Sequence, residues 1–397
     1  MKYILMHKNI PVMDLEISGT TCAIQKTGRI YAPEHIPPGA LSHRKELNKP
    51  ALNRWWQGRS IPPNRPGVRE AMAAFGVSSP QEMLEKSLGL SLSDQYWIRP
   101  EGQDIVWEEF NFFENRFSED VGNALLGKGL KYGAWDMMSP DITTNGCLKK
   151  MWKMIGGKRW LFKGGESEWQ QEPFNEVLAT EIMERIGTID FVPYSLVWED
   201  GMPYSVCEDF VTKDTEFIPA ADIMRVRKQP NHLSDYGHFM ECCGFLGIPG
   251  AEDGVNKMLA VDYLLANDDR HLHNFGAVRS AETLEWLGLA PIFDCGNSMW
   301  CSQPTSRVDA ADAPSKPFRK THAGQVKLVT SFGWLEPEAL RGIGSLCDTV
   351  FRQNPYMDDY RREKLCGAIE ARAAMLFEVM EQQEQGQKQN EDGMKLL

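Results

Sequence analysis

The order of strands and helices predicted between residues 148 and 211 limits the folds that this chain can adopt. Strand-like runs, helical spacing and the turn pairs Gly156-Gly157 and Asp200-Gly201 predict two strands, a helix and two more strands. These elements cover residues 148–155, 158–163, 174–186, 192–199 and 204–211. The order predicts a small β-rich lobe with one helix packed on its sheet.

The second half of the chain is predicted to be mostly helical. Helices are expected over residues 236–246, 252–265, 337–351 and 357–380, with a strand-rich interlude at 275–294. From Glu381 onward apolar residues are almost absent, which is typical of a disordered tail, and we assign residues 383–397 to it. The fold class is therefore α+β, with a β-rich lobe over 126–212 and a helical lobe over 213–382.

Residues 1–125 are predicted to form a subdomain of their own. Two strands and a helix are expected in it, over residues 3–6, 22–25 and 79–88. Trp55 and Trp56 lie between Arg54 and Arg59, a grouping that could stack on nucleic-acid bases. The alternative is that the two rings anchor a small core, and we favour it because a lone aromatic pair has little specificity.

Composition narrows the class of protein further. The chain has 43 Lys and Arg against 55 Asp and Glu, a net charge of -12, which argues against strong nonspecific binding of nucleic acid. Its apolar stretches fall short of the ~18 residues of a membrane helix, and its first residues lack the pattern of a secretory signal. The nine cysteines are odd in number and contain no C-x-x-C pair, so reduced thiols and a cytoplasmic location are expected.

The most informative segment runs from Leu264 to Val278, where a cluster of Asn, Asp, Arg and His interrupts two apolar elements. Twenty residues after Asn274, a short apolar strand ends in Asp294. Phosphoryl transfer needs one carboxylate to orient or deprotonate the attacking hydroxyl, a role that suits Asp269. It also needs oxygen ligands for Mg²⁺ beside the nucleotide phosphates, which Asn274 and Asp294 would supply.

Two other interpretations of this segment are open. Asp268 and Asp269 could cap a helix or form an Asx-turn while Asp294 sits in a tight turn. Alternatively, His271 and His273 could bind zinc or iron together with Asp269, although a third protein ligand at suitable spacing is missing.

A nucleotide site also needs groups that contact the phosphates and the base. Lys163 ends the second predicted strand, and Glu176 lies near the start of the next helix, an arrangement in which a carboxylate holds a phosphate-binding lysine. Upstream, the turn from Thr143 to Gly146 could cover phosphates with its backbone N–H groups. The backbone of Glu208 and Phe210, where the last strand leaves the β-rich lobe, could bind adenine.

These residues resemble the motifs of the HipA-like serine/threonine kinases. The family's D-x-H-x-x-N loop, its aromatic-Asp strand end, its S-x-x-G-x-x-x-K phosphate loop and its E-x-F hinge are matched in order. The matching residues are Asp269, His271 and Asn274; Phe293 and Asp294; Thr143, Gly146 and Lys150; and Glu208 and Phe210. Weaker matches occur at 31–34 and 110–115, whereas residues 40–100 match nothing in the family's pattern.

The resemblance implies a two-lobed, protein-kinase-like fold and an enzyme that uses ATP and Mg²⁺ to phosphorylate a protein hydroxyl. It adds Lys150 and His271 to the nucleotide site. It further implies a toxin–antitoxin setting with a small DNA-binding partner. Because Thr143 stands where the family has Ser, the family's self-phosphorylation in this loop is left open.

Two rival functions remain at this stage. D-x-H is also similar to the catalytic motif of lipid kinases, but such an enzyme needs a basic membrane-facing surface, which the net charge of -12 does not suggest. A kinase that phosphorylates a small molecule is the other form of this first rival. A pseudokinase that only binds a partner is the other rival, and the intact set of Lys163, Asp269, Asn274 and Asp294 speaks against it.

Overall fold

The N-terminal subdomain is built on an antiparallel sheet with the strand order β3-β2-β1-β4. The computed structural model describes residues 1–41, 46–126, 136–146, 148–311 and 313–395. The strands of this sheet are β1 Lys2–His7, β2 Ile10–Ile17, β3 Ile24–Ile30 and β4 Tyr96–Pro100. The helices are α1 Lys49–Gly58, α2 Val68–Phe75, α3 Pro80–Lys86, α4 Trp107–Phe110 and α5 Asp120–Leu125. Strand β2 was not predicted, since Pro11 and two acidic residues interrupt its apolar pattern.

The two neighbouring tryptophans of α1 differ in burial. Trp56 is fully buried, and its indole N–H donates to the carbonyl of Cys22 at 2.9 Å. Trp55 is half-buried, with the guanidinium of Arg59 at 4.8 Å from its ring and Tyr96 against its edge. Trp56 is therefore the core anchor, and Trp55 lies at the surface of a groove.

The β-rich lobe has the predicted order of elements. It consists of β5 Lys150–Ile155, β6 Lys158–Gly164, α6 Glu172–Ile186, β7 Ser195–Glu199 and β8 Met202–Glu208. The sheet order is β5-β6-β8-β7, all antiparallel, and its register pairs Lys150 with Lys163. Strand β7 begins three residues later than predicted, after Pro193, whose missing N–H cannot join the ladder.

The helical lobe also carries a three-stranded sheet, β9 Thr215–Pro219, β10 Gly276–Ser280 and β11 Trp286–Leu289. Its helices are α7 Ala220–Ile223, α8 Asp235–Leu246, α9 Ala251–Leu265, α10 His322–Gln325, α11 Ile343–Phe351 and α12 Asp359–Lys395. One apolar core joins α6, α8, α9, α11 and α12. The α+β class with a β-rich and a helical lobe is thus confirmed.

Two predicted elements of this lobe have different bounds. The helix expected over 337–351 is a 3₁₀ turn, Pro337–Leu340, followed by α11, because Gly342 in a left-handed conformation separates them. Helix α12 continues to Lys395, through the segment expected to be a disordered tail. Glu, Gln and Lys dominate that segment, and all three favour helix even where no apolar face is available.

The N-terminal subdomain is joined to the helical lobe through buried polar contacts. His7 and Arg279 both contact the buried carboxylate of Glu216, at 3.3 and 2.8 Å. The backbone N–H of Phe217 in β9 donates to the carbonyl of Ser93 at 2.8 Å. These contacts place residues 91–93 beside the space between the two lobes.

The described part of the chain can be compared with the expectations for membrane helices and for cysteine thiols. None of its helices combines the length and apolar character needed to cross a membrane. The eight cysteines that the structure describes have free thiols, seven of them buried, and Cys147 lies outside the described residues.

Candidate active site

The loop between α9 and β10 turns sharply at its start. Ala266 ends α9 in a left-handed conformation, φ +50°. The side chain of Asn267 then accepts from the N–H of Asp269 at 3.0 Å and donates to Asp262 at 2.8 Å. The Asx-turn considered for Asp268 and Asp269 is therefore formed by Asn267, which leaves the Asp269 carboxylate for other contacts.

Arg270 holds this loop from the inside. Its fully buried guanidinium binds the carboxylate of Asp262 through two nitrogens, at 2.9 and 3.0 Å. It also donates to the carbonyl of Asn274, at 2.8 Å, and to that of Phe293. Burial opposes the charge, but the Asp262 carboxylate outweighs it and keeps the pKa of Arg270 above its ordinary value. Arg270 thus ties α9, the loop and the segment before Asp294 into one unit. That segment was predicted to be a strand, but it forms only an isolated bridge between Ile292 and Phe191.

Asp269 and Asn274 are linked across the loop. The side-chain amide of Asn274 donates to the backbone carbonyl of Asp269 at 3.0 Å. This bond fixes which end of the amide is the nitrogen. The Asp269 carboxylate is partly exposed and accepts from Asn297 at 3.1 Å and from Lys316 at 2.8 Å.

Asp294 meets two lysines of the β-rich lobe. Lys163, only 2% exposed, contacts the carboxylates of both Glu176 and Asp294. Lys150 lies 3.9 Å from the other oxygen of Asp294. The second oxygen of Glu176 accepts from the backbone N–H of Cys295 at 2.8 Å. The predicted Lys163–Glu176 pair is therefore present, and it is joined directly to Asp294.

Charge and burial compete at these groups. Burial alone would raise the pKa of Asp294, but the ammonium groups of Lys163 and Lys150 outweigh it and hold that pKa well below its usual range. For Lys163 the two carboxylates likewise outweigh burial, so its pKa is raised. Burial dominates at Lys150 and lowers its pKa to about 8.

The predicted phosphate loop is held by the N-terminal subdomain. Arg65 donates to the carbonyls of Thr144 and Gly146, at 2.5 and 2.8 Å. Gly146 has φ +90°, and a Cβ at this position would collide with the ammonium of Lys150. The hydroxyl of Thr143 is buried and donates to the carbonyls of Leu90 and Pro140, at 3.0 and 3.2 Å.

A cleft lies between the lobes. Of the predicted residues, it is lined by Thr143, Lys150, Lys163, Glu208, Phe210, Asn274 and Asp294. Ser91 and Ser93 of the N-terminal subdomain, which were not predicted, line it as well. At one end Phe210 packs against Phe293 and Phe217, with ring centroids 5.4 and 5.8 Å away. That end therefore offers aromatic surface, and Lys150 and Lys163 give the cleft two cationic groups.

The remaining predicted residues do not line the cleft but contact residues that do. Glu176 contacts Lys163, and Gly146 lies against the ammonium of Lys150. The backbone carbonyl of Asp269 accepts from Asn274. His271 shapes the loop through its carbonyl and its Nδ1, which accept from the N–H groups of Asn274 and His273. Within the described residues, no set of three His, Cys, Asp or Glu side chains could hold a metal ion, so the zinc or iron alternative has no support.

Four site residues had no sequence signal of their own. Arg270 is an unspecified position of the D-x-H motif, Arg65 lies in the segment 40–100 that matched nothing, and Asn297 and Lys316 follow no recognisable pattern. Asp262, the partner of Arg270, could have been suspected as a lone acidic residue on the apolar face of a helix.

Removing Lys163 should destabilise the protein, because Glu176 would keep a buried charge without its cationic partner and Asp294 would keep only the more distant Lys150. We expect Lys163→Met to lower the free energy of unfolding by about 3–5 kcal/mol. The matched control is Lys158→Met on the same strand, since Lys158 and Glu208 form an exposed pair that contributes ~0–1 kcal/mol. Urea unfolding measures both variants, and equal losses would contradict the assignment of a buried network.

Comparison with known proteins agrees with this architecture. Residues 141–351 match the model of the HipA-like C-terminal domain, whereas no curated protein sequence matches the chain. HipA of Shewanella oneidensis MR-1, solved with HipB and operator DNA as a toxin–antitoxin system, is 12% identical, with 96% of this chain and 99% of that one aligned at a TM-score of 0.53. The Helicobacter pylori proinflammatory kinase CtkA is 15% identical over 59% of this chain and 94% of its own, with a TM-score of 0.45. The fold is that of HipA, and because the family model covers more than half of the sequence, the chain belongs to the HipA-like C-terminal domain family.

Proposed function

We propose that this protein is an ATP- and Mg²⁺-dependent serine/threonine protein kinase. The observation that carries the proposal is the joining of Lys163, Glu176 and Asp294 into one buried network that opens onto the same cleft as Asn274. A lysine fixed by a carboxylate, next to oxygen ligands from two separate segments, is the arrangement that phosphoryl transfer requires.

The residues present fit ATP and Mg²⁺. The amide of Asn274 and the carboxylate of Asp294 both line the cleft, and they are the hard oxygen ligands that Mg²⁺ prefers. When bound there, Mg²⁺ would neutralise charge on the phosphate oxygens. Lys150 and Lys163 add two positive charges at the same end, and Phe210 with Phe293 lies at the end suited to adenine. The backbone of Glu208 and Phe210 would hydrogen-bond the base.

The transfer step uses Asp269 as the base. As the acceptor oxygen forms its bond to the γ-phosphorus, its proton passes to the Asp269 carboxylate. The bond between the γ-phosphorus and the bridging oxygen breaks, and its electron pair leaves with ADP. Positioning and charge neutralisation by the residues of the cleft supply most of the rate increase.

The direct test follows transfer from labelled ATP. Purified protein is incubated with γ-labelled ATP and Mg²⁺ in a cell lysate, and the labelled protein is identified. We expect one protein of the lysate to carry the label on a serine or threonine residue. We also expect ATP–Mg²⁺ to raise the melting temperature of the enzyme. A melting shift without any transfer would favour the pseudokinase, and label confined to lipids or small molecules would favour the other rival.

The Thr143 loop is proposed as an off-switch that acts through self-phosphorylation. Two carbonyl oxygens accept from the Thr143 hydroxyl. They would repel a phosphate carrying about -1.5 to -2 charges, so the modified loop should leave its site. Enzyme incubated with ATP–Mg²⁺ should gain phosphate on Thr143 and lose activity with time, whereas Thr143→Ala should stay active. Mass spectrometry that places phosphate only on other residues would remove this switch.

Two further proposals rest on family membership. The acceptor is a protein that remains to be identified, and a small antitoxin-like DNA-binding partner would place the enzyme in a toxin–antitoxin system. The division into units at 1–125, 126–212 and 213–382 stays a prediction. The buried contacts of Glu216 with His7 and of Arg279 with Tyr96 favour handling the first and third units as one piece in any truncation experiment.

A further inference from the structure

Lys316 reaches the proposed base from a distant part of the chain. Its ammonium lies 2.8 Å from Oδ1 of Asp269, 47 residues away in sequence. The side-chain amide of Asn297 donates to Oδ2 of the same carboxylate at 3.1 Å. Each oxygen of Asp269 therefore has a donor, and the two donors come from different segments of the helical lobe.

The loop that carries Lys316 is anchored on a buried side chain. Gln325, only 1% exposed, accepts from the N–H groups of Phe318 and Arg319 at 3.0 and 3.1 Å. Its amide nitrogen donates to the backbone carbonyl of Lys316. Phe318 packs into the core against Phe275, with ring centroids 5.9 Å apart. The backbone of Lys316 is thus fixed on its C-terminal side.

The ion pair itself is open to solvent. The side chain of Lys316 is 52% exposed and that of Asp269 31% exposed. Exposed ion pairs contribute little to folding stability. A loop tied down by a buried glutamine, which delivers a half-exposed cation to a catalytic carboxylate, therefore favours a role in the reaction over a role in folding.

We propose that Lys316 is a positioning residue for phosphoryl transfer, an inference that rests on the function proposed above. Lys316 and Asn297 together fix the plane of the Asp269 carboxylate. A carboxylate oxygen has two lone pairs, so each oxygen that already accepts one bond can accept a second from the acceptor hydroxyl. The carboxylate thereby takes the hydroxyl proton in one defined orientation, and the ammonium adds positive charge at the place where the acceptor meets the γ-phosphate.

The test compares Lys316→Met with two other variants. Lys316→Met should lower kcat on the order of 10²-fold, the size of effect seen when one preorganised donor is removed. The KM for ATP and the melting temperature should stay close to those of the wild type, because neither the nucleotide cleft nor the core is changed. Lys316→Arg should recover part of the lost kcat. Lys320→Met is the matched control on the same loop, where the side chain is exposed, and it should be as active as the wild type.

The outcomes separate this inference from the proposed function. If the wild type transfers phosphate and Lys316→Met has the same kcat, the positioning role is wrong while the kinase function stands. A melting temperature clearly below that of the wild type, or a rise in the KM for ATP as large as the fall in kcat, would show a structural role and also overturn the inference. A wild type that transfers no phosphate overturns both.

Discussion

Replacing Asp269 by Asn is expected to leave the affinity for ATP nearly unchanged while turnover falls by a factor of about 10²–10⁴. The carboxylate of Asp269 is held by Asn297 and Lys316 and is absent from the lining of the nucleotide cleft. An amide keeps the shape of the side chain, but its single oxygen can accept from only one of the two donors, and it cannot take the proton of the acceptor hydroxyl. Calorimetric titration with ATP–Mg²⁺ and a transfer assay measure the two quantities on the same sample.

Asp294→Asn is the contrasting variant. It removes charge from a group that lines the cleft and contacts Lys163, so Mg²⁺-dependent ATP binding and turnover should fall together. Titrations with ATP at several Mg²⁺ concentrations should show a loss of Mg²⁺-dependent binding in Asp294→Asn and no such loss in Asp269→Asn. If Asp269→Asn loses Mg²⁺-dependent binding while Asp294→Asn keeps it, the two roles are reversed. If both variants transfer phosphate normally, the segment from 264 to 294 is not the active site.

The parts of the site that the sequence predicted share a physical reason. Lys163 and Glu176 lie on a hairpin strand and the helix that follows it, and their contact depends on local order alone. Asp294 directly follows a short apolar run, so a direction into a cleft could be expected from the pattern, although that run forms only an isolated bridge between Ile292 and Phe191 and not the predicted strand. The prediction that these residues act on one ligand needed the fold, because Lys163 and Asp294 are 131 residues apart.

The parts that were missed depend on irregular segments. Lys316 and Asn297 lie in stretches without period, where neither hydrophobic spacing nor turn residues indicate which way a side chain points. Ser91 and Ser93 enter the cleft because the backbone of β9 binds Ser93, a long-range contact that no local pattern contains. The α12 helix shows the opposite case, since composition suggested disorder while the helix propensity of Glu, Gln and Lys gives regular structure.

Arg270 is expected to contribute as much to stability as Lys163. Arg270→Met should lower the free energy of unfolding by about 3–5 kcal/mol, because it leaves the fully buried carboxylate of Asp262 without its partner. Arg270→Lys should also be destabilising, since an ammonium cannot reproduce the two-nitrogen contact with Asp262 or reach the carbonyls of Asn274 and Phe293 at the same time. Urea unfolding of the full chain gives both values.

Two control variants test whether the buried charge of Asp262 causes this loss of stability. Arg54→Met replaces an exposed arginine and should change stability by less than about 0.5 kcal/mol. The double variant Asp262→Leu with Arg270→Met removes both charges, so it should be more stable than Arg270→Met alone. It should nevertheless lack transfer activity, because Asn274 and Phe293 lose the donor that holds their backbone carbonyls together. A double variant that transfers phosphate like the wild type would mean that Arg270 serves folding only and that the loop keeps its geometry without it.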